Sequence, residues 1–182
     1  MSALLQPDLR RDPAPAPGTH AQALQHWQTA EDIAAWAGRH FRFDAERALQ
    51  FSSTRRREGP LPSVAEPANF FELPSGICLD LARLAVETLR QVDPLAQAHY
   101  LMVEFEPVEV DGHVLRLHWM AAYHRGGQLY VFADSERPGH IAGPYPNAQA
   151  FADEYAVFRG RPVLRHLQLE SLQRPSPAAA AR

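Results

Sequence analysis

"PSGICLDLARLAVETLR", residues 74–90, decides the fold, because a turn bearing proline and glycine hands over there to the most regular apolar repeat of the chain. Leu81, Leu84, Ala85, Thr88 and Leu89 recur at helical spacing, the pattern runs to Val92, and Pro94 stands just past its end. Ser75 is a good N-cap, so the spacing predicts a helix that starts immediately after it. Cys78, the single cysteine of the chain, then lies in the first turn. Backbone N–H groups without intrahelical acceptors and the helix dipole favour negative charge at that position, and so favour a thiolate. The backbone N–H of Cys78 itself is a ready oxyanion donor during attack on a carbonyl. Taken alone, though, a free cysteine is more often a small core side chain, and Cys78 acquires a chemical reading only from the residues C-terminal to its helix.

Downstream the period changes from helical to alternating. "AHYLMVEFEPVEV" and "HVLRLHWMAAYH" flank Asp111-Gly112, a strong two-residue hairpin signal, and "QLYVFADS" comes after "RGG". The pattern predicts an antiparallel meander of three strands, and with the preceding helices an α+β domain. Pairing Val110 with His113 across the first turn sets Phe105 opposite His118. A three-residue second loop, Arg125 to Gly127, sets His118 opposite Asp134, and only that loop length gives the two a common face. If the Cys78 helix packs on the face carrying His118, Met120, Tyr130, Phe132 and Asp134, its first turn brings the thiol against the imidazole. A nucleophilic cysteine needs a base to take its proton, and the base needs a partner that fixes its tautomer. Cys78, His118 and Asp134 are the three residues that fill these roles.

The blocks "GICLDLARLAVETLR" and "LHWMAAYHRGGQLYVFADS" resemble the transglutaminase-like superfamily of papain-fold cysteine enzymes. There a Gly-x-Cys opens a helix, a histidine near a tryptophan lies on the next strands, and an aspartate comes one strand later. Gly76-Ile77-Cys78, His118-Trp119 and Asp134 match these blocks, and Thr29 to Phe43 resembles the leading helix and strand, with Phe41 and Phe43 in place of tyrosine. The match spans roughly residues 25 to 136. The resemblance implies a papain/transglutaminase-like fold, with N-terminal helices and the nucleophile-bearing helix packed on an antiparallel sheet. It also implies a catalytic triad of Cys78, His118 and Asp134 working through an acyl-thioester. Water as acceptor makes such a protein a cysteine peptidase or amidase, an amine makes it a transglutaminase-type acyltransferase, and a domain that has lost its chemistry is a protein-binding module. Hydrolysis is the preferred reading, with a peptide, protein or other amide as substrate and no cofactor required. His118 and Trp119 adjoin where the family spaces them by one, which turns the tryptophan to the opposite sheet face. Glu72 stands six residues before Cys78, where papain-like proteases carry an oxyanion-hole glutamine. No side-chain oxyanion donor is therefore assigned, and the nearby Asn69 reads better as a loop residue making a turn.

Other chemistries fit less well. His113, His118 and His124 suggest a metal, but only His118 and His124 share a strand face, and six residues is too far apart for a chelate on one strand. Asp80, two residues along a helix from Cys78, points away from it and reads as surface or helix N-terminal electrostatics. Ser75 lacks a Gly-x-Ser-x-Gly frame, and no glycine loop cradles phosphate.

Composition bounds the rest. The 182 residues, 46% hydrophobic and 21% charged, suit one domain with a real core. A net charge of −3 gives no basic field for nucleic acid or an anionic membrane, and oligomeric state is left open. One cysteine makes neither an internal disulfide nor a multi-cysteine zinc site, and no signal-like or membrane-spanning run is present, which together suggest a soluble cytoplasmic protein. "DPAPAPG" at 12–18 and "RPSPAAAAR" at 174–182 mark residues 1–20 and 173–182 as disordered tails around a single domain, 21–172. "HAQALQHWQTAEDIAAWAGRHF" reads as one or two helices, with Thr29 capping a turn that holds Glu31 and Asp32. The stretch 52–67 reads as a loop. Its Arg55, Arg56 and Arg57 are positioned to steer an anion, although a solvated charge run is the preferred reading. A last helix near 147–158 and a strand after Pro162 complete the core or close over a cleft.

Overall fold

A computed structural model of the chain describes residues 18–54 and 63–172. The arginines at 55, 56 and 57 and most of both proline- and alanine-rich ends lie outside them. The sequence stretch from His20 resolves into two helices, α1 (His20–His26) and α2 (Ala30–His40). Thr19 caps the first by accepting from the Gln22 N–H. Asp32 closes the second by accepting from the Thr29 N–H at 3.0 Å. A two-residue strand β1 (Arg42–Phe43) leads into α3 (Ala45–Thr54), which the sequence reading did not anticipate. The signal was present in Asp44, whose carboxylate accepts from the Arg47 N–H as a helix-start residue should. The arginine- and proline-rich run behind it masked the short repeat. α4 (Pro67–Glu72) comes next with proline at its start, where a missing N–H costs nothing. Asn69 is thus an exposed helix residue and not a loop turn.

Ser75 is not the cap of the long helix. Ser75–Gly76 forms a second short strand, β2, in parallel ladder with β1, pinned by Arg42 N–H to Pro74 O and Asp44 N–H to Gly76 O, both 2.8 Å. The helix α5 (Cys78–Val92) therefore begins at Cys78 itself, with Ile77 as N-cap. Asp80, fully buried, does the capping: its Oδ2 accepts from the Ile77 N–H at 2.9 Å and its Oδ1 from the Ala65 N–H at 2.8 Å, while Arg47 of α3 forms an ion pair with it. The surface role expected for Asp80 gives way to that of a buried tie between α3, α5 and the segment before α4. Gly76 is required by this tie. A Cβ there would stand 2.5 Å from Asp80 Oδ2 and 2.9 Å from the Phe70 ring. Gly76→Ala is expected to lower stability by about 1–3 kcal/mol, read as a reduced urea midpoint with unchanged m-value.

α5 is buried on several sides, with Leu81, Ala82, Leu84, Ala85, Val86 and Leu89 all inaccessible. The N-terminal helices pack on its outer side, where Trp36 stacks on Phe71 at 4.7 Å, and a five-stranded antiparallel sheet packs on its inner side. The sheet order is β6 (Ala142–Tyr145), β5 (Gln128–Phe132), β4 (His113–Arg125), β3 (His99–Val110) and β7 (Val163–Leu169). α6 (Ala148–Arg159) covers the opposite face, so the last helix and strand complete the core.

Two register expectations are corrected. Val110 does pair with His113, but beyond a bulge between Glu104 and Val108 it is Val103, not Phe105, that lies opposite His118. Pro107 falls inside the bulge and has no N–H to give the ladder. The second loop has two residues, not three: Arg125 pairs with Gln128, and Gly126 and Gly127 take φ 58° and 76°. Two positive φ values are what a tight hairpin turn of this hand needs, and Gly-Gly supplies them at no steric cost. Trp119, Ala121, Tyr123 and Phe132 consequently face α5, while Met120, Ala122 and Val131 face α6. α5 thus lies on the face opposite Met120, contrary to the face expected from sequence. Among the described residues no helix is long and apolar enough to cross a membrane.

Candidate active site

Asp134 does not reach His118 through the sheet. β5 ends at Phe132, opposite Ala121, and the next residue, Ala133, is buried with φ 56°. A non-glycine residue in the left-handed region costs about 1–2 kcal/mol, and here it breaks the alternation of the strand and turns Asp134 toward β4. His118 lies on β4 past the last rung shared with β5, where the strand edge is open to both the start of α5 and the end of α6. His118 Nε2 donates to Asp134 Oδ1 at 2.9 Å, with both residues buried. Cys78 lines the same cavity as His118 and acts on the imidazole electrostatically. With Nε2 taken by the carboxylate, Nδ1 is the nitrogen left for sulfur.

The carboxylate is held on all sides. Asp134 Oδ1 also accepts from the Glu136 N–H at 3.0 Å, and Oδ2 accepts from the Tyr155 hydroxyl of α6 at 2.9 Å and from Arg137 Nε at 3.3 Å. The Tyr155 ring also stacks on His118, with centroids 6.0 Å apart. Burial alone would push the imidazole down, but the hydrogen bond to Asp134, the interaction with Cys78 and the charges on both outweigh it and hold His118 up to about 9. Burial would likewise raise Asp134, yet the His118 bond and charge, the Glu136 N–H and the Tyr155 hydroxyl bring it down to about 2. The pair is therefore imidazolium and carboxylate at neutral pH. Cys78 is partly exposed at the first helical position of α5, where its N–H has no intrahelical acceptor.

Cys78 and His118 share one wall of a cavity of about 660 Å³. Ala45, Ala48 and Leu49 of α3 and Ile77 and Leu79 beside the thiol give it an apolar side. Arg116, Arg159 and Arg161 line it as well. Asn69 and Glu72 do not, so neither supplies a side-chain oxyanion donor. Tyr155, Arg159 and Arg161 were not singled out from sequence, and the only hint was a Tyr155–Arg159 spacing that puts both on one face of α6. Among the described residues no group of three or more His, Cys, Asp or Glu could hold a metal ion. His124 instead stacks on His99, centroids 5.5 Å apart.

The structure is thus an α+β core with a thiol at a helix start and an imidazole held by a carboxylate, gathered at one cavity. A family model described as a transglutaminase-like domain matches residues 21–154, and the chain belongs to that family. No curated protein matches the chain.

Proposed function

We propose that this protein is a cysteine hydrolase, a peptidase or amidase, working through an acyl-thioester on Cys78. The Cys78 thiolate attacks the amide carbonyl, and its own backbone N–H donates to the oxyanion that develops. The C–N bond breaks as the His118 imidazolium gives its proton to the departing amine, which leaves a neutral imidazole and a thioester. That imidazole then takes a proton from water as the oxygen attacks the thioester, and collapse returns the carboxylic acid and the thiolate–imidazolium pair. Asp134 keeps the proton on Nε2 and the ring in one orientation. The support for this reading is a partly exposed thiol at one cavity with an imidazole whose Nε2 is held by a buried, fully hydrogen-bonded carboxylate.

The test is to incubate the protein with a panel of activated esters and peptide amides, quench in acid and read intact mass. An acyl adduct that is labile to hydroxylamine, maps to Cys78 and is absent in Cys78→Ala is expected. Adding glycinamide separates the two acceptors: faster breakdown with formation of the new amide assigns acyl transfer, whereas unchanged breakdown assigns hydrolysis. Absence of an adduct with every member of the panel, together with iodoacetamide labelling that His118→Ala leaves unaltered, would overturn both.

A further inference from the structure

We infer that the α6 end of the cavity is an anion subsite, and that the amide acted on at Cys78 carries a carboxylate that docks against Arg159 and Arg161. This rests on the proposed thiol chemistry and adds a substrate class to it. The chain as a whole carries a net charge of −3, yet among the described residues three arginines and one acid, Glu136, line the cavity. Two of the guanidiniums are drawn over one ring: the Cζ atoms of Arg159 and Arg161 stand 5.2 and 4.8 Å from the Phe105 centroid. Burial and the Arg159 charge both work against the Arg161 guanidinium, and an anion beside the two offsets that cost.

The donors around the ring are only partly used. Arg161 spends one nitrogen, Nη2, on the Glu106 and Leu115 carbonyls at 2.7 and 3.1 Å, which anchors it across the β3 bulge. Its Nε is buried without a partner. Arg159 gives Nη1 to the Tyr155 hydroxyl at 3.2 Å and meets Glu136 Oε1 with Nη2 at 3.2 Å. Glu136 is about half exposed, so a carboxylate from this chain already rests on Arg159 from the solvent side, while Arg161 has no carboxylate partner among the described residues. The planar forks match a second carboxylate better than a point charge would. The same arginine reaches Asp134 through Tyr155, so the subsite is continuous with the groups that hold His118.

The test uses chloroacetyl peptides of one to three glycines, each made as free acid, as amide and with a terminal phosphonate, and tracks alkylation of Cys78 in the full chain by intact mass. The readout is the ratio of acid to amide rate within each variant, which cancels any general change in thiol reactivity. At low salt the best acid is expected to react about tenfold or more faster than its amide, with the ratio shrinking in 0.5 M NaCl. Arg161→Gln should bring the ratio to near one, and Arg161→Lys, which keeps charge without the fork, should hold it between. Equal rates for acid and amide at every length overturn the subsite. So does a preference that survives Arg159→Gln and Arg161→Gln made together, which would place the attraction on the His118 imidazolium, or a phosphonate that outruns the acid. Failure of the thiol chemistry shows separately, as iodoacetamide labelling that His118→Ala leaves unaltered.

Discussion

Replacing His118 with alanine is expected to slow iodoacetamide alkylation of Cys78 near pH 7 by about 10²-fold and turnover of any trapped ester by about 10²–10⁴-fold. On the proposed mechanism the loss removes both the charged imidazole beside the nucleophile and the proton donor for the leaving amine. A pH profile carries the sign. His118 is held up to about 9, so its imidazolium is present below that value and disappears as pH rises through it. Turnover limited by departure of the amine should therefore fall on the alkaline side with a limb near 9. Asp134→Asn removes the leading support of that raised value and should move the limb to lower pH. The same groups set a stability window. The contribution of His118 is full below about 6.5 and fades as pH climbs through about 9, and that of Asp134 is full above about 3.8 and fades as pH falls toward about 2. The shift on Asp134→Asn is the diagnostic quantity and not the limb alone, because it ties the limb to His118.

Asp80→Ala is expected to be the most destabilising single change outside the apolar core, costing roughly 2–4 kcal/mol. It strips the cap from the Ile77 N–H, leaves the Ala65 N–H without its acceptor, and leaves Arg47 without its carboxylate, with only the Ser63 carbonyl to hold it. Arg47 is itself about a quarter exposed, which places the cost below that of a wholly buried pair. The loss is measured as ΔG of urea unfolding. Because the cap lies one residue before Cys78, iodoacetamide labelling at a temperature where the variant stays folded should slow as well. An Asp80→Ala protein as stable as the parent would show that the tie does not hold the start of α5.

The helix α5, the three strands after it and the region of α1 and α2 were readable from the chain, because apolar spacing marks the first two and capping residues the last. The three residues of the candidate site were readable as types and order. The route that joins His118 to Asp134 was not. Loop length was the quantity expected to decide it, and "RGG" could have been read correctly, since Gly126 and Gly127 both suit the positive φ of a two-residue turn. That turn alone would have put Asp134 on the wrong face. What restores the contact is Ala133, a residue type that gives no sign of a left-handed conformation and adopts one only because the surrounding core fixes it. Asp80 was legible as a helix-start residue but not as buried, since burial depends on Arg47 arriving from a helix hidden by its polar surroundings. Tyr155, Arg159 and Arg161 come from the far end of the domain, and nothing local marks them until α6 docks.

The sulfur and the imidazole hang from different cores. Cys78 is carried by α5 and the apolar cluster it shares with the N-terminal helices, whereas His118 and Asp134 are tied by Tyr155 to the cluster under α6. The two layers nevertheless meet at the site, because Trp119 and Ala133, the neighbours of His118 and Asp134, pack with α5. Each of the three side chains is therefore held by residues whose neighbours belong to the other layer, and a substitution that loosens either core reaches the cavity.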